Sequence, residues 1–146
     1  MAIMAALLEA GYAVLLPFGE NTRYDLVIDD GVRLGRVQCK TGRLRHGAIR
    51  FSACSSYAHL PNPKMVRRDY LGQIDYFAVY CPDTVGVYLV PVGEARVRRQ
   101  GSLRVRPPLN NQKQGIRTAS NYEIAEVSIR ATGEPGGSAG ACRSSA

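Results

Sequence analysis

The sequence contains no run of apolar residues close to the roughly 20 that a membrane-spanning helix needs, so its 146 residues predict no transmembrane segment. Its first residues, MAIMAALLEAGYAVLLPF, are apolar but have no basic lead-in. Glu9 interrupts them, and no small-residue cleavage site follows. We therefore do not interpret this stretch as a signal peptide.

The sequence also lacks the residue spacing of a zinc site. No two cysteines form a C-x-x-C pair, and histidine is scarce. The residues concerned are Cys39, Cys54, Cys81, Cys142, His46 and His59. A zinc site is therefore not expected. Because no secretory signal is recognisable, we expect free thiols in a reducing cytoplasm.

The composition excludes wholesale disorder, since 45% hydrophobic and 21% charged residues are ordinary values for one globular domain. The net charge of +7 is unevenly distributed. Residues 1–35 carry −3, residues 36–117 carry fifteen Lys and Arg against four acids, and residues 118–146 carry −1. A long basic stretch is typical of a protein that binds a polyanion, although a merely basic soluble surface has the same composition.

Local patterns predict one helix followed by strands. Residues 2–10 favour a helix that ends before Gly11. The predicted strands are 12–16, 24–28, 33–40, 48–53, 74–81, 85–92 and 103–105, with a basic loop at 41–47 and short helices at 66–71, 93–100 and 122–125. We expect a single domain at 1–130, built on a mixed sheet in an α/β or α+β arrangement. We expect the Gly-, Ser- and Ala-rich residues 131–146 to be a disordered tail.

The stretch YDLVIDDGVRLGRVQCK carries the most informative pattern. Its Asp-Asp-Gly predicts a hairpin with the two-residue loop Asp30-Gly31. This register places Asp25 opposite Arg36 and diagonal to Gln38. Because side chains alternate along a strand, Arg36, Gln38 and Lys40 share one face. A slip of one residue would move Asp25 to the other face.

An acid, an amide oxygen and a lysine on one sheet face suit metal-dependent phosphodiester chemistry. A carboxylate binds a hard cation such as Mg²⁺, and the metal polarises a phosphate and activates a water. A nearby ammonium stabilises developing negative charge. The backbone carbonyl of Cys39 is a further possible oxygen ligand. A solvated sheet face carries the same residue types, so spacing alone leaves both interpretations open.

The pattern D-x(12)-Q-x-K, formed by Asp25, Gln38 and Lys40, resembles the motif of the PD-(D/E)XK nuclease superfamily. Gln38 stands where most members have a second acid. The longer run LLPFGENTRYDLVIDDGVRLGRVQCKTGRLR is similar to the branch of group I intron homing endonucleases, as are DYLGQIDYFAVYCPDT, VYLVPV and NNQKQGI. The similarity extends over about residues 5–127.

The resemblance implies an αβββαβ nuclease core whose central mixed sheet is flanked by helices. It implies Mg²⁺-dependent hydrolysis of double-stranded DNA by a homodimer or homotetramer, with no small-molecule cofactor and no membrane. Asp25, Gln38 and Lys40 would then be the catalytic residues. Asp25, Gln38 and the Cys39 carbonyl would bind the metal.

The sequence departs from the family pattern at two places. Gln38 lacks the charge of the usual acid, which should weaken metal binding. A glutamate that the family carries on the first helix would fall just before Met1, and Glu9 and Glu20 are the acids that could replace it. This second departure favours an alternative function, a DNA-binding module of nuclease fold with weakened or lost catalysis. A domain without a nucleic-acid role is a third interpretation.

Basic and amide side chains are the candidates for DNA binding. Arg43, Arg45 and Arg50 follow the proposed site and could contact flanking phosphates. An amide-rich segment has side chains that can read base edges; its candidates are Asn110, Asn111, Gln112, Lys113 and Arg117. A second basic cluster comprises Arg96, Arg98, Arg99, Arg104 and Arg106. Solvated loops have the same composition, so these assignments are hypotheses.

Overall fold

The computed structural model describes residues 1–19, 21–57, 66–95, 99–106 and 115–124. Helix α1 spans Ala2–Glu9, and a 3-10 helix spans Ala119–Tyr122. The strands are β1 Ala13–Leu15, β2 Leu26–Asp29, β3 Leu34–Thr41, β4 Arg43–Arg45, β5 Ala48–Ser52, β6 Ser55–Tyr57, β7 Val66–Arg68, β8 Tyr76–Cys81, β9 Gly86–Pro91 and β10 Gln100–Arg104. Within these ranges, no helix has the length and apolar character needed to cross a bilayer.

A central mixed sheet has the strand order β1-β2-β3-β8-β9. Strands β1, β2 and β3 form an antiparallel meander, β8 runs parallel to β3, and β9 is antiparallel to β8. This sheet confirms the predicted fold class. Helix α1 covers one of its faces, where Leu7 is fully buried in a cluster with Leu26, Val37 and Ala78.

A second sheet, β10-β5-β4, covers the other face of the central sheet. Ile49 and Phe51 of β5 pack against Phe77 and Val79 of β8 in one hydrophobic cluster. Because Ala78 points the opposite way, into the cluster under α1, β8 is buried on both faces. Burial on both faces explains why this strand is a continuous apolar run rather than an alternating one.

Gly42 lets the chain pass from the central sheet to the second sheet directly after β3. Its backbone N–H donates a 2.8 Å hydrogen bond to the Tyr80 carbonyl. A Cβ at this position would lie 2.6 Å from the Ile49 Cγ2 atom and 2.9 Å from the Val79 Cγ1 atom. A larger residue would therefore push the two sheets apart, and the glycine sets their close approach.

Several local predictions are wrong. Residues 66–71, predicted as a short helix, begin with β7, which pairs with β6. The basic loop at 41–47 contains β4, and β5 pairs with β4 and β10 instead of extending the meander. Gln100 begins β10 where a helix was expected, and the 3-10 helix ends at Tyr122, where the last predicted helix was to begin. Residues 131–146, the predicted tail, lie outside the described residues.

The described part of the connection between β3 and β8 forms β4 to β7, and residues 58–65 lie outside it. Strand β5 supplies apolar side chains that cover the face of β8 opposite α1. A layer of β-sheet therefore packs on this face of the central sheet.

Candidate active site

The β2–β3 hairpin has a four-residue loop, residues 30–33, so the prediction of a two-residue loop at Asp30-Gly31 is wrong. Asp29 pairs with Leu34. The Asp30 carboxylate closes the loop because its Oδ1 atom accepts hydrogen bonds from the backbone N–H groups of Val32 and Arg33, both at 2.8 Å. These bonds, led by the one from Arg33, hold the pKa of Asp30 below its usual value.

The observed register differs from the predicted one by two residues, so each side chain keeps its predicted face. The pairing of β2 with β3 ends at Leu26 and Val37, and just before it the Asp25 N–H donates a 2.9 Å hydrogen bond to the Val37 carbonyl. Asp25 therefore lies beside Gln38 rather than opposite Arg36. The Gln38 Nε2 atom donates a 2.6 Å hydrogen bond to Asp25 Oδ2, and the Cys39 backbone N–H donates a 2.7 Å bond to the same oxygen. The structure therefore brings these three predicted residues together.

The oxygens near this point of the sheet are of the types that a hard divalent cation binds. Asp25 Oδ1 accepts no hydrogen bond from the described residues, and Gln38 keeps its amide oxygen because it bonds through nitrogen. A strand residue directs its N–H and C=O to the same side, so the Cys39 carbonyl points toward Asp25, beyond the start of β2. Carboxylate, amide and carbonyl oxygens are the ligands that Mg²⁺ takes, with waters completing its shell.

Asp25 supplies the only carboxylate of this oxygen cluster within the described residues. No group of three or more His, Cys, Asp or Glu residues that could hold a metal occurs in that part of the chain. A site with one carboxylate and two neutral oxygens is expected to bind Mg²⁺ more weakly than one with two acids.

The Cys39 side chain does not belong to the oxygen cluster. It packs against the hydrophobic cluster under α1. Burial, together with the neighbouring Asp25 charge, raises the pKa of the Cys39 thiol to about 11. The thiol is therefore protonated at neutral pH, whereas a metal ligand would have to be the thiolate.

We expect Cys39→Ala to keep the Mg²⁺ affinity of the oxygen cluster within about twofold of wild type, because only the backbone carbonyl of this residue would bind the metal. Because the thiol is protonated at neutral pH, iodoacetamide should modify Cys39 slowly in the native protein. Mg²⁺ titrations and mass spectrometry of the alkylated protein measure the two effects. A tenfold or greater loss of Mg²⁺ affinity in a folded Cys39→Ala protein would instead give the thiol a role at the site.

Lys40 lies on the same face as Gln38, two residues further along β3. Its Nζ atom donates a 3.2 Å hydrogen bond to the Tyr70 hydroxyl. Arg36, which also shares this face, is paired elsewhere, with its Nε atom 3.1 Å from Asp75 Oδ2. The hydrogen bonds of this pair lower the pKa of Asp75 and raise that of Arg36. Arg36 thus ties β3 to the start of β8 and leaves Lys40 as the cation beside Gln38.

The beginning of α1 lies beside the end of β3. Residues 1–3 and 39–41, with Tyr80, line a cavity of about 220 Å³. Glu9 is exposed at the other end of this helix, about 12 Å further along its axis at 1.5 Å per residue. Glu9 is therefore poorly placed to replace the family's helical acid. Glu20 lies outside the described residues.

Strand β3 leads from the candidate site into an arginine-rich groove of about 500 Å³. Thr41, the last residue of β3, lines this arginine groove together with Arg43, Arg45, Arg50 and Arg99, and no carboxylate belongs to the described lining. The arginines of β4 and β5 are exposed. Arg43 and Arg50 lie directly opposite each other, an arrangement of like charges that destabilises an antiparallel pair.

The remaining candidates for DNA binding do not line the arginine groove in the described part of the structure. Arg117 lies on the side of β10 away from β4, where its carbonyl accepts a 2.6 Å hydrogen bond from the Arg104 N–H. The predicted residues Asn110, Asn111, Gln112 and Lys113 lie outside the described residues. Sequence reasoning missed Tyr70, which contacts Lys40, and Arg23, which contacts Tyr70, because no spacing rule connects either residue to Lys40.

Comparisons with known proteins find a matching family model and matching solved structures. A family model described as PD-(D/E)XK endonuclease matches residues 1–125. The solved structure of a bacterial homing endonuclease, I-Ssp6803I, is similar to this chain with a TM-score of 0.63 and 24% sequence identity, covering 91% of this chain and 93% of that one. At this identity the likeness establishes the fold. The comparison with curated proteins finds no match.

Proposed function

The chain belongs to the PD-(D/E)XK endonuclease family, and we propose that it is a Mg²⁺-dependent DNA endonuclease of the homing-endonuclease type. One observation carries the proposal. Asp25 Oδ2 accepts hydrogen bonds from both Gln38 and Cys39, which fixes the carboxylate and leaves three hard oxygens at one point of the sheet. Those oxygens suit the cation that DNA hydrolysis of this kind uses.

Each residue of the site has a role that follows from its chemistry. Asp25 Oδ1, the Gln38 amide oxygen and the Cys39 carbonyl would hold the cation. When bound, the metal polarises the phosphate and activates a water. The Lys40 ammonium would donate hydrogen bonds to the phosphoryl oxygens and stabilise their developing negative charge. The hydrogen bonds to Asp25 Oδ2 restrict the carboxylate to one orientation. Asp25 Oδ1 can therefore bind the cation without a rearrangement of the side chain.

Double-stranded DNA is the proposed substrate. The arginine groove begins at Thr41, one residue after Lys40, so a duplex with a phosphate at Asp25 would bring its flanking backbone to the groove. Because a duplex has two strands and each chain has one candidate site, we propose a homodimer or homotetramer. The described thiols are free, which suits the cytoplasmic location that we propose.

A DNA-binding module with weakened or lost catalysis is the second candidate function. The cavity between the start of α1 and the end of β3 has no acid in its described lining, although the family carries a metal-binding glutamate on this helix. Arginine-rich DNA binding does not depend on that acid. Binding without cleavage would therefore be the expected behaviour if Asp25 and Gln38 alone cannot hold the metal.

A nicking assay tests the proposal. The substrate is a library of supercoiled plasmids with random inserts, so that a rare target sequence is represented. We expect wild-type protein to nick members of the library with Mg²⁺ and not with EDTA, and Lys40→Ala to lower the rate by about 10²- to 10³-fold. Salt-dependent binding without nicking by the wild type would establish the binding module, and the absence of both would exclude a role with DNA.

A further inference from the structure

Tyr70 contacts two cations at the edge of the candidate site. Its hydroxyl accepts a hydrogen bond from Lys40 Nζ at 3.2 Å. The Arg23 Cζ atom lies 4.4 Å from the centroid of its ring. Tyr70 is only 5% exposed and Lys40 is half-buried. The contact is therefore partly shielded from water, which strengthens hydrogen bonds and cation–π interactions.

The protein core fixes the position of the Tyr70 ring. Phe77, a buried residue of β8, packs edge-on against it at 5.5 Å between ring centroids, with the ring planes at 89°. The Tyr70 carbonyl accepts hydrogen bonds from the N–H groups of Gln73 at 3.0 Å and Ile74 at 3.3 Å. Both its side chain and its backbone are therefore held, so the hydroxyl occupies one place.

Arg23 is itself held in place beside the Tyr70 ring. Its Nη1 atom donates to Ser55 Oγ and its Nη2 atom to the Asp69 carbonyl, each at 2.8 Å, and its Nε atom donates to Gln73 Oε1. These three bonds orient the planar guanidinium beside the Tyr70 ring. Arg23 also precedes Asp25 by two residues, so it connects the segment that carries the proposed metal ligand to the segment that carries Tyr70.

Lys40 has no carboxylate partner among the described residues. An ammonium on a flexible four-carbon stem has three donors and needs an acceptor to hold it in one direction. A carboxylate would hold it but also neutralise its charge. The phenol accepts one hydrogen bond, leaves the full positive charge, and leaves two donors for a substrate.

We propose that Tyr70 is a positioning residue that aims Lys40 at the phosphate, and that Arg23 holds the Tyr70 ring for this purpose. The proposal rests on the proposed endonuclease function, in which Lys40 acts on the phosphate. It adds a role for two residues outside the Asp25–Gln38–Lys40 pattern. Tyr70 touches Lys40 rather than the reacting atoms, so its effect is exerted through the lysine.

Tyr70→Phe is the direct test, because it removes only the hydroxyl. It keeps the ring, its packing on Phe77, its cation–π contact with Arg23, and the Lys40 Nζ contact 4.9 Å from the ring centroid. We expect kcat for cleavage to fall about tenfold with KM unchanged, since the interaction lost acts mainly in the transition state. Tyr88→Phe is the matched control. Tyr88 is also 5% exposed, and its hydroxyl lies 3.1 Å from Thr84 Oγ1 at the β8–β9 turn.

A second measurement does not depend on cleavage. The sequence contains only three lysines, Lys40, Lys64 and Lys113, so selective ¹³Cε labelling gives three signals, and Lys40→Arg identifies the one from Lys40. We expect nuclear Overhauser contacts between the Lys40 ε-protons and the Tyr70 ring. We also expect the order parameter of the Lys40 ε-carbon to fall in Tyr70→Phe and to stay unchanged in Tyr88→Phe.

The two measurements separate the two proposals. An ordered Lys40 that loosens in Tyr70→Phe would support the positioning role even if the wild type cuts no DNA, in which case the proposed function alone would fail. An active wild type with identical kcat and identical Lys40 order in Tyr70→Phe and Tyr88→Phe would overturn the positioning role. Arg23→Gln should reduce the Lys40 order in the same direction as Tyr70→Phe, because the ring loses its support.

Discussion

Asp25→Ala is expected to lower Mg²⁺-dependent cleavage by about 10³-fold or more, since a bound metal contributes several kcal/mol of transition-state stabilisation and Asp25 is its proposed charged ligand. The remaining donors, the Gln38 amide oxygen and the Cys39 carbonyl, are neutral and hold a divalent cation poorly without a carboxylate. The variant also releases the two hydrogen bonds that orient Gln38 and the Cys39 N–H. Initial nicking rates over a range of Mg²⁺ concentrations measure the effect.

The fold is expected to survive this substitution. Asp25 is exposed, so water can replace it as the acceptor for Gln38 and Cys39, and the free energy of unfolding should fall by no more than about 1 kcal/mol. Asp25→Asn gives a second variant of the same shape without the charge. Thermal melts of both variants should stay close to the wild-type curve.

Asp29→Asn is the matched control for charge. It removes one carboxylate at the far end of β2, where Asp29 Oδ1 accepts a 2.8 Å hydrogen bond from the Gly31 N–H. Asparagine makes the same type of turn contact, so cleavage should remain within about twofold of wild type. Cleavage by Asp25→Ala at the wild-type rate would show that the metal lies elsewhere, and an equal loss in Asp29→Asn would point to net charge instead.

The face of the sheet that carries Gln38 and Lys40 could be predicted from sequence, because it depends only on whether the register differs by an odd or an even number of residues. The hairpin loop is two residues longer than the Asp30-Gly31 turn predicts, and an even difference preserves the faces of the paired residues of β2 and β3. Asp25, just before β2, meets Gln38 on its face through a side-chain hydrogen bond. The sequence does not reveal the loop length itself. Asp30 closes the loop through its carboxylate, and a longer loop uses the same Asp and Gly residues as a tight one.

Contacts between residues distant in sequence could not be predicted in this way. Gly42 sends β4 and β5 into a second sheet because a side chain would collide with Ile49 and Val79, and no periodicity records that collision. Strand β7 forms where local preference favoured a helix, since its pairing with β6 is decided by tertiary contacts. Tyr70 meets Lys40 across 30 residues of sequence through packing on Phe77, and no motif spacing describes it.

The double substitution Arg43→Gln and Arg50→Gln is expected to weaken binding of duplex DNA about 10- to 100-fold at moderate salt and to lower the slope of log K against log salt by about two. These arginines lie directly opposite each other on β4 and β5 and line the arginine groove. Each phosphate contact releases counterions from the DNA, so each arginine that contacts one contributes about one unit of slope. Titrations with labelled duplex at several salt concentrations measure both quantities.

The melting temperature of the double variant distinguishes a loss of DNA contacts from a loss of folded structure. Like charges placed opposite each other destabilise an antiparallel pair, so removing Arg43 and Arg50 should leave the melting temperature unchanged or raise it while affinity falls. Arg33→Gln is the matched control, because Arg33 is exposed just before β3, about 26 Å of strand away from the groove. Equal weakening in Arg33→Gln would mean that net charge alone attracts DNA. A wild-type salt slope in the double variant would mean that the duplex binds to another surface. DNA would then have to approach Asp25 from the side of the sheet that α1 covers.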